Sequence, residues 1–113
     1  MHEQSIVESF LNLSLEHARQ ANANRIIKIY LVVGELSGVV DEAVDFYFRF
    51  LAKNTIASEA VIDYRHIPAR FRCRKCGHNF QPEKFDYTCP ECNEKQIEII
   101  SGRELYIDRL EVD

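Results

Sequence analysis

The residues in this chain most able to do chemistry are four cysteines, arranged as two C-x-x-C pairs. Cys73 and Cys76 form the first pair, and Cys89 and Cys92 form the second, after a spacer of twelve residues. Each pair fits a tight turn that presents two thiolates to one ion, and four thiolates complete a tetrahedral shell. Because a closed shell leaves no position for water or substrate, the pattern predicts a structural metal site, with zinc as the preferred ion.

Other uses of the four cysteines stay open at this point. They could form two disulfide bonds, one pair could be a redox centre, or both pairs could hold iron as in rubredoxin. Nothing in the sequence indicates an oxidising compartment, and a redox motif needs only one pair, so disulfides and redox chemistry are disfavoured. Iron uses the same two turns and is therefore the main competitor of zinc.

The amino terminus carries a second group of metal donors. Met1, His2 and Glu3 place an imidazole and a carboxylate beside the α-amine. A metal bound by the Met1 amine and the deprotonated His2 amide closes a five-membered ring, and the His2 imidazole closes a six-membered one. Glu3 offers a fourth donor, and such planar, nitrogen-rich coordination suits Ni(II) or Cu(II). A lone histidine beside the first methionine is more often simply exposed, so the residues alone leave both interpretations open.

The remaining histidines have no partner at metal-ligand spacing. His17 falls on the apolar stripe of a predicted helix, where we expect it to be partly buried, His66 ends a predicted strand, and His78 follows the first cysteine pair. No open three-ligand site with an adjacent general base can be found, which disfavours a metal-dependent hydrolase. We therefore expect no catalytic residues of that kind.

Size and charge narrow the class of protein further. The chain has 113 residues, 46% of them hydrophobic, which suffices for one modest core and a small second unit. Its formal net charge of -4 argues against a protein that mainly neutralises nucleic-acid phosphates. The first twenty residues lack the pattern of a secretory signal, and no apolar run has membrane-spanning length. We therefore expect a cytoplasmic protein without a membrane partner.

Helical periodicity predicts two helices. The first covers about residues 5–21, with a broad buried stripe formed by Ile6, Phe10 and Leu13 and flanked by Val7, Leu11 and Ala18. The second begins near Asp41 and ends near Asn54. Its apolar residues at helical spacing are Ala43, Tyr47, Phe50 and Leu51.

Alternating and β-branched residues predict the strands. A strand at 25–33, closed by Gly34, is expected to be central, and a strand at 60–65 is expected to pack on one face. Two further strands, 97–100 and 105–112, are joined through a turn at Ser101 and Gly102. Together these elements predict an α+β fold, with two helices on a small, mostly antiparallel sheet and an inserted zinc-ribbon module. The predicted boundaries are 1–67 plus 98–113 for the α/β domain and 68–97 for the ribbon.

A zinc-ribbon adaptor that binds nucleic acid or the transcription machinery is the alternative function. Its support is a locally basic stretch formed by Arg65, Arg70, Arg72, Arg74, Lys75 and Lys84. The aromatic residues of the same region could equally cover the sulfur atoms, and these are Phe71, Phe80, Phe85 and Tyr87. A surface that faces another protein is therefore at least as well supported as one that faces nucleic acid.

The whole chain resembles the HypA/HybF family. The resemblance is carried by M-H-E at residues 1–3, S-I-V at the start of the first helix, V-G-E-L-S-G-V at 33–39, both cysteine pairs, and G-R-E-L at 102–105. Each of these pieces is common in proteins, so the specificity of the resemblance comes from their combination in one short chain.

The resemblance implies a nickel metallochaperone for [NiFe]-hydrogenase maturation, which is a delivery protein and not an enzyme. It implies Ni(II) as cargo at Met1, His2 and Glu3, and structural Zn(II) at the four cysteines. It also implies that residues 1–67 plus 98–113 are the nickel-binding domain. The implied partners are a HypB-like nickel-insertion GTPase and the hydrogenase large-subunit precursor, and for some relatives also urease maturation proteins. The sequence is compatible with a monomer or a homodimer.

Overall fold

The computed structural model describes residues 3–84 and 86–113 of the chain. These residues form two helices and six strands. The strands make two three-stranded sheets, with the strand orders β2-β1-β6 and β4-β3-β5. The predicted fold class, α+β with a module that carries four cysteines, is confirmed. The elements are α1 (Glu3–Gln20), β1 (Ile26–Gly34), α2 (Asp41–Leu51), β2 (Val61–Ile67), β3 (Arg70–Cys73), β4 (Asn79–Phe80), β5 (Ile97–Ser101) and β6 (Leu105–Val112).

Helix α1 buries a stripe that differs in part from the predicted one. Val7, Phe10, Ser14 and Ala18 recur at helical spacing and are buried. The Ser14 hydroxyl donates a hydrogen bond of 2.7 Å to the Phe10 carbonyl, so this polar side chain is satisfied inside the core. Leu13, predicted to lie on the stripe, is 50% exposed because the stripe follows residues 7, 11, 14 and 18.

Helix α2 begins one residue after its N-cap, Val40, and ends earlier than predicted, with Ala52 as its C-cap. Its buried residues are Val44 and Phe48, and the Phe48 ring stacks on Phe10 of α1 with a centroid distance of 6.0 Å. Phe50, one of the residues that marked the predicted helix, is 66% exposed. Apolar residues lie on several sides of this helix, so helical spacing alone does not identify the side that is buried.

Strand β1 lies between β2 and β6, so the prediction that it is central is confirmed. Ile29, Leu31, Val32 and Val33 are all at most 1% exposed, as expected for a strand with neighbours on both edges. The end of β6 is fixed to the start of β1, because Asp113 N–H donates a hydrogen bond of 3.0 Å to the Arg25 carbonyl.

The second sheet is built around β3. Strand β3 is antiparallel to β4, where Phe71 faces Phe80, and antiparallel to β5, where Cys73 faces Ile97. Residues 97–100 and 105–112 are both strands, as predicted, but β5 and β6 belong to different sheets.

Contacts within the chain define two compact units. The first contains Met1–Val32, Gly38–Arg65 and Leu105–Asp113, and the second contains Val33–Ser37 and His66–Glu104. We call the second unit the ribbon unit. The predicted domain boundaries concern domains that fold and move independently, and they stay a prediction.

Backbone hydrogen bonds join three segments of the chain inside the ribbon unit. Gly34 N–H donates to the Glu104 carbonyl at 2.6 Å, Glu35 N–H to the Ile67 carbonyl at 2.8 Å, and Leu36 N–H to the Gly102 carbonyl at 2.7 Å. Gly34 approaches Gly102 so closely that a Cβ atom at residue 34 would overlap its carbonyl group. The G-E-L sequence therefore has a structural role, because it allows and secures this close approach.

Candidate metal centre

The four cysteines come together in the ribbon unit, as predicted. Cys73 ends β3, Cys76 lies in the turn that follows, and Cys89 and Cys92 lie in the loop before β5. Their sulfur atoms all lie within 4.8 Å of one another, with Cys73 Sγ 3.5 Å from Cys92 Sγ and Cys76 Sγ 3.7 Å from Cys89 Sγ. All four are free thiols, so the disulfide alternative is wrong.

The two cysteine turns share one backbone geometry. In the first, Gly77 N–H donates to the Cys73 carbonyl at 2.9 Å, and Cys73 N–H donates to the His78 carbonyl at 2.9 Å. In the second, Asn93 N–H donates to the Cys89 carbonyl at 2.9 Å, and Cys89 N–H donates to Glu94 at 2.9 Å. Each turn therefore presents its two sulfur atoms in the same way.

A left-handed residue follows each pair, with φ values of 77° at Gly77 and 62° at Asn93. The positive φ of Asn93 was not predicted from the sequence. Asparagine directly after a C-x-x-C pair was the available signal, because it tolerates positive φ better than most residues.

Backbone amides near the sulfur atoms favour negative charge on one of them. The pKa of Cys73 is lowered to about 7 by hydrogen bonds from the backbone of Cys76 and of Lys75, against the effect of burial. At Cys92 the Glu94 backbone amide lowers the pKa, but burial and the neighbouring thiols outweigh it and raise the value to about 12. Burial and neighbouring thiols thus oppose the formation of more than one thiolate. A divalent cation bound by the four sulfur atoms would offset this effect, because its positive charge stabilises every thiolate at once.

The donor set fits a tetrahedral Zn(II) ion. Zn–S bonds of about 2.3 Å in a tetrahedron place the sulfur atoms about 3.8 Å apart, close to the shortest separations found here. Zinc bound by all four thiolates would act as a structural crosslink between the two turns. Iron in the same ligand set has similar geometry, so the arrangement by itself fits both ions.

Two aromatic side chains are buried together with two of the cysteines. Phe71 and Phe80 belong to the same buried cluster as Cys73 and Cys89. The Phe71 ring meets the edge of Phe80 at 5.8 Å, and it meets Tyr87 at 5.2 Å. Phe85 lies outside the described residues. Phe71 and Phe80 are therefore accounted for by their burial in this cluster, without a nucleic-acid ligand.

Several basic side chains near the centre already have partners. Arg72 pairs with Glu98 at 3.0 Å, and Lys75 pairs with Glu94 at 3.0 Å. Arg74 donates to the Ile97 carbonyl at 3.2 Å. These pairs are exposed and contribute little to stability, but they reduce the positive charge available to phosphates. The support for the nucleic-acid alternative is correspondingly weaker.

Among the described residues, no other candidate ligand belongs to this group of four sulfur atoms. Met1 and His2 lie outside the described residues, and Glu3 begins α1. His17 and His66 are exposed, so the expectation of a partly buried His17 is wrong, and the His78 ring stacks on Phe80. Within residues 3–84 and 86–113, the four cysteines are the one group of at least three histidine, cysteine or acidic side chains that could share an ion.

No helix in the described part of the chain is long and apolar enough to cross a membrane.

Comparison with known proteins places the chain in a family. The model of the family described as "Hydrogenase/urease nickel incorporation, metallochaperone, hypA" matches residues 1–112. Hydrogenase maturation factor HypA from Dehalococcoides mccartyi strain CBDB1 is 43% identical over 113 residues, which are 100% of this chain and 95% of that protein. The corresponding factor from Aquifex aeolicus is 32% identical over 113 residues, with 100% and 98% covered.

Solved structures give the same result. The solution structure of the Ni metallochaperone HypA from Helicobacter pylori aligns with a TM-score of 0.69 and 29% identity, covering 99% of this chain and 97% of that one. A second structure, described as the solution structure of HypA protein, aligns with a TM-score of 0.74 and 29% identity, covering 99% and 96%. The chain therefore belongs to the HypA family of nickel-incorporation metallochaperones, which are hydrogenase maturation factors and not enzymes.

Proposed function

We propose that this chain binds Ni(II) through Met1, His2 and Glu3 and delivers it to the precursor of the [NiFe]-hydrogenase large subunit. The observation that supports this most is the full-length match to a nickel-incorporation family in a chain whose cysteine cluster is a closed four-sulfur set. Because such a set has no position left for cargo, nickel must bind elsewhere. The described residues contain no second cluster of this kind, which leaves the amino-terminal donors as the best candidates.

The two metals have different roles in this proposal. Zn(II) at Cys73, Cys76, Cys89 and Cys92 is permanent and holds the two cysteine turns together. Nickel at a chain terminus has few protein ligands, so a recipient that offers more or softer donors can take it.

The proposed partners are a HypB-like nickel-insertion GTPase and the hydrogenase precursor. Relatives named hydrogenase maturation factors favour hydrogenase as the recipient, while the family description also names urease, so urease maturation proteins are a second class of partner. We propose a cytoplasmic location, because four free thiols in one cluster are typical of a reducing compartment.

Nickel titration by calorimetry tests the amino-terminal site. Native protein is compared with His2→Ala and with protein that carries extra residues before Met1, and His17→Ala is the matched control. We expect both altered amino termini to lose nickel binding and the control to keep it, with zinc content unchanged throughout. The extension matters because it converts the terminal amine into a peptide nitrogen while keeping every side chain.

Acidification provides a second measurement. The α-amine titrates near pH 8 and imidazole near 6.5, so nickel affinity should fall as the pH is lowered through this range, because protons compete for both donors. If the extended protein binds nickel as tightly as the native one, the amino-terminal site is wrong, and His17, His66 and His78 become the next candidates.

A further inference from the structure

The four thiols of the ribbon unit differ in their access to solvent. Cys73 and Cys89 are 1% and 0% exposed, and both belong to the buried cluster of this unit. Cys92 is half-buried, and Cys76 is exposed. A small reagent dissolved in water therefore reaches Cys76 before the other three cysteines.

The space beside Cys76 is open. A Cβ atom added to its neighbour Gly77 would meet no atom of the rest of the chain within 4 Å. An oxidant of the size of hydrogen peroxide therefore has a free path to this sulfur atom. When the sulfur atom binds zinc it is a thiolate, which is the form of cysteine that reacts with peroxides.

Two short contacts between sulfur atoms join one cysteine turn to the other. Cys76 Sγ lies 3.7 Å from Cys89 Sγ, and Cys73 Sγ lies 3.5 Å from Cys92 Sγ. A disulfide bond has a sulfur–sulfur distance of about 2.05 Å, so each pair can bond after an approach of less than about 2 Å. The exposed thiol of one turn therefore has a buried partner in the other turn.

We propose that the cysteine cluster is a peroxide-responsive switch, in which a disulfide bond between Cys76 and Cys89 takes the place of zinc. The Cys76 thiolate attacks a peroxide oxygen, the O–O bond breaks, and Cys76 becomes a sulfenic acid while the leaving hydroxide takes up a proton. The Cys89 thiolate then attacks the Cys76 sulfur, the S–S bond forms, and the S–O bond breaks to release a second hydroxide, which is also protonated. Two thiolates thereby lose two electrons, and hydrogen peroxide gains them and becomes two water molecules.

This inference rests on the proposed structural role of zinc. Zinc leaves because the disulfide removes two of its four ligands. The ribbon unit stays closed, since the new bond joins the same two turns that zinc joined. A second peroxide molecule oxidises Cys73 and Cys92 by the same chemistry, and a thiol reductant reverses both steps so that zinc binds again.

Peptide mapping of the full-length chain tests this proposal. Zinc is quantified in the reduced protein, and about one equivalent of hydrogen peroxide per chain is then added beside a chromophoric zinc indicator. The remaining free thiols are alkylated before digestion. Trypsin cleaves after Arg74 and Lys75, and a glutamate-specific protease cleaves after Glu91, so each cysteine falls on a separate peptide. Dimedone, which traps sulfenic acids, identifies the cysteine that reacts first.

We expect dimedone on Cys76, a disulfide between Cys76 and Cys89, and loss of the bound zinc to the indicator. Dithiothreitol with added zinc should restore the original zinc content. The oxidised, metal-free ribbon unit should keep more amide protection from hydrogen exchange than the reduced, metal-free one, because only the oxidised form has a crosslink.

A pair of matched variants isolates the exposed thiol, since each variant keeps three thiolates. Cys76→Ser should consume peroxide more slowly than native protein, because its accessible sulfur atom is gone. Cys92→Ser should still form the disulfide between Cys76 and Cys89.

Several results would overturn the proposal. Dimedone on Cys92 would mean that solvent access does not select Cys76. A disulfide within one turn, joining Cys73 to Cys76 or Cys89 to Cys92, would mean that oxidation separates the turns. Zinc and thiols that survive peroxide would show that the centre is inert. These outcomes would leave the structural role of zinc standing, whereas a reduced protein without zinc would overturn that role as well.

Discussion

Replacing Gly77 provides the sharpest test of the cysteine-turn geometry. Gly77 has a φ of +77°, and a Cβ atom added there meets no other atom within 4 Å. Alanine at this position is therefore penalised by its backbone conformation alone, without a steric clash. The left-handed conformation costs an L-residue about 1–2 kcal/mol relative to its favoured regions, whereas glycine adopts it freely.

This penalty should appear in the affinity for zinc, because zinc binding and folding of such modules are coupled. A cost of about 1–2 kcal/mol corresponds to roughly five- to thirtyfold weaker binding for Gly77→Ala. Gly77→Asn should stay within about twofold of native protein, since asparagine tolerates this conformation and occupies the matching position at Asn93, where φ is 62°. Competition with a chromophoric zinc chelator measures all three affinities.

Two results would refute the reasoning. One is a Gly77→Ala variant that binds zinc as tightly as native protein, which would mean that the turn relaxes without cost. The other is a Gly77→Asn variant as weak as Gly77→Ala, which would mean that the two turns are not equivalent.

Three further predictions concern other parts of the chain. Cys89→Ser should reduce the zinc content from about one ion per chain and leave backbone amides of the ribbon unit open to hydrogen exchange, because the fourth thiolate is lost; full zinc retention would contradict this. Gly34→Ala should lower the free energy of unfolding by about 1–3 kcal/mol in chemical denaturation, because its Cβ would overlap the Gly102 carbonyl. Burial and the hydrogen bond to Asp45 raise the pKa of Tyr64 above its usual value of 10.0, so its contribution to stability is fully present below pH 10 and is lost as the pH rises above that value. Tyr64→Phe should make the unfolding free energy less dependent on pH in this alkaline range, and an unchanged slope would show that Tyr64 is not responsible.

Local patterns predicted most of the elements. Both helices and the central position of β1 follow from apolar periodicity and β-branched residues, and the four cysteines follow from their spacing. These features depend on residues close in sequence, or on two short turns whose cysteine spacing suits a single ion. The predicted ends of the elements differ from the observed ones by one to three residues in several cases, because helix ends depend on local capping.

The wrong predictions concern which side of a helix meets the core. Leu13 and His17 were expected on the buried stripe of α1 and are exposed. In α2, apolar residues occur on opposite sides, and only tertiary packing against Phe10 decides that Phe48 is the residue that is buried. Sequence gives the spacing of apolar residues, but the choice between two apolar sides depends on contacts with distant residues.

The hydrogen bonds that tie Gly34 to Glu104 and Leu36 to Gly102 have a consequence for synthesis on the ribosome. Their partners are separated by more than sixty residues, so β1 is complete long before the residues that secure its end exist. At about 5–20 residues per second, that interval is on the order of 3–14 s. Throughout it, the apolar side chains of β1 also lack β6, their neighbour in the sheet. The nascent chain is therefore most vulnerable to aggregation and proteolysis during these seconds, and a stop codon before Leu105 would make that vulnerable state permanent.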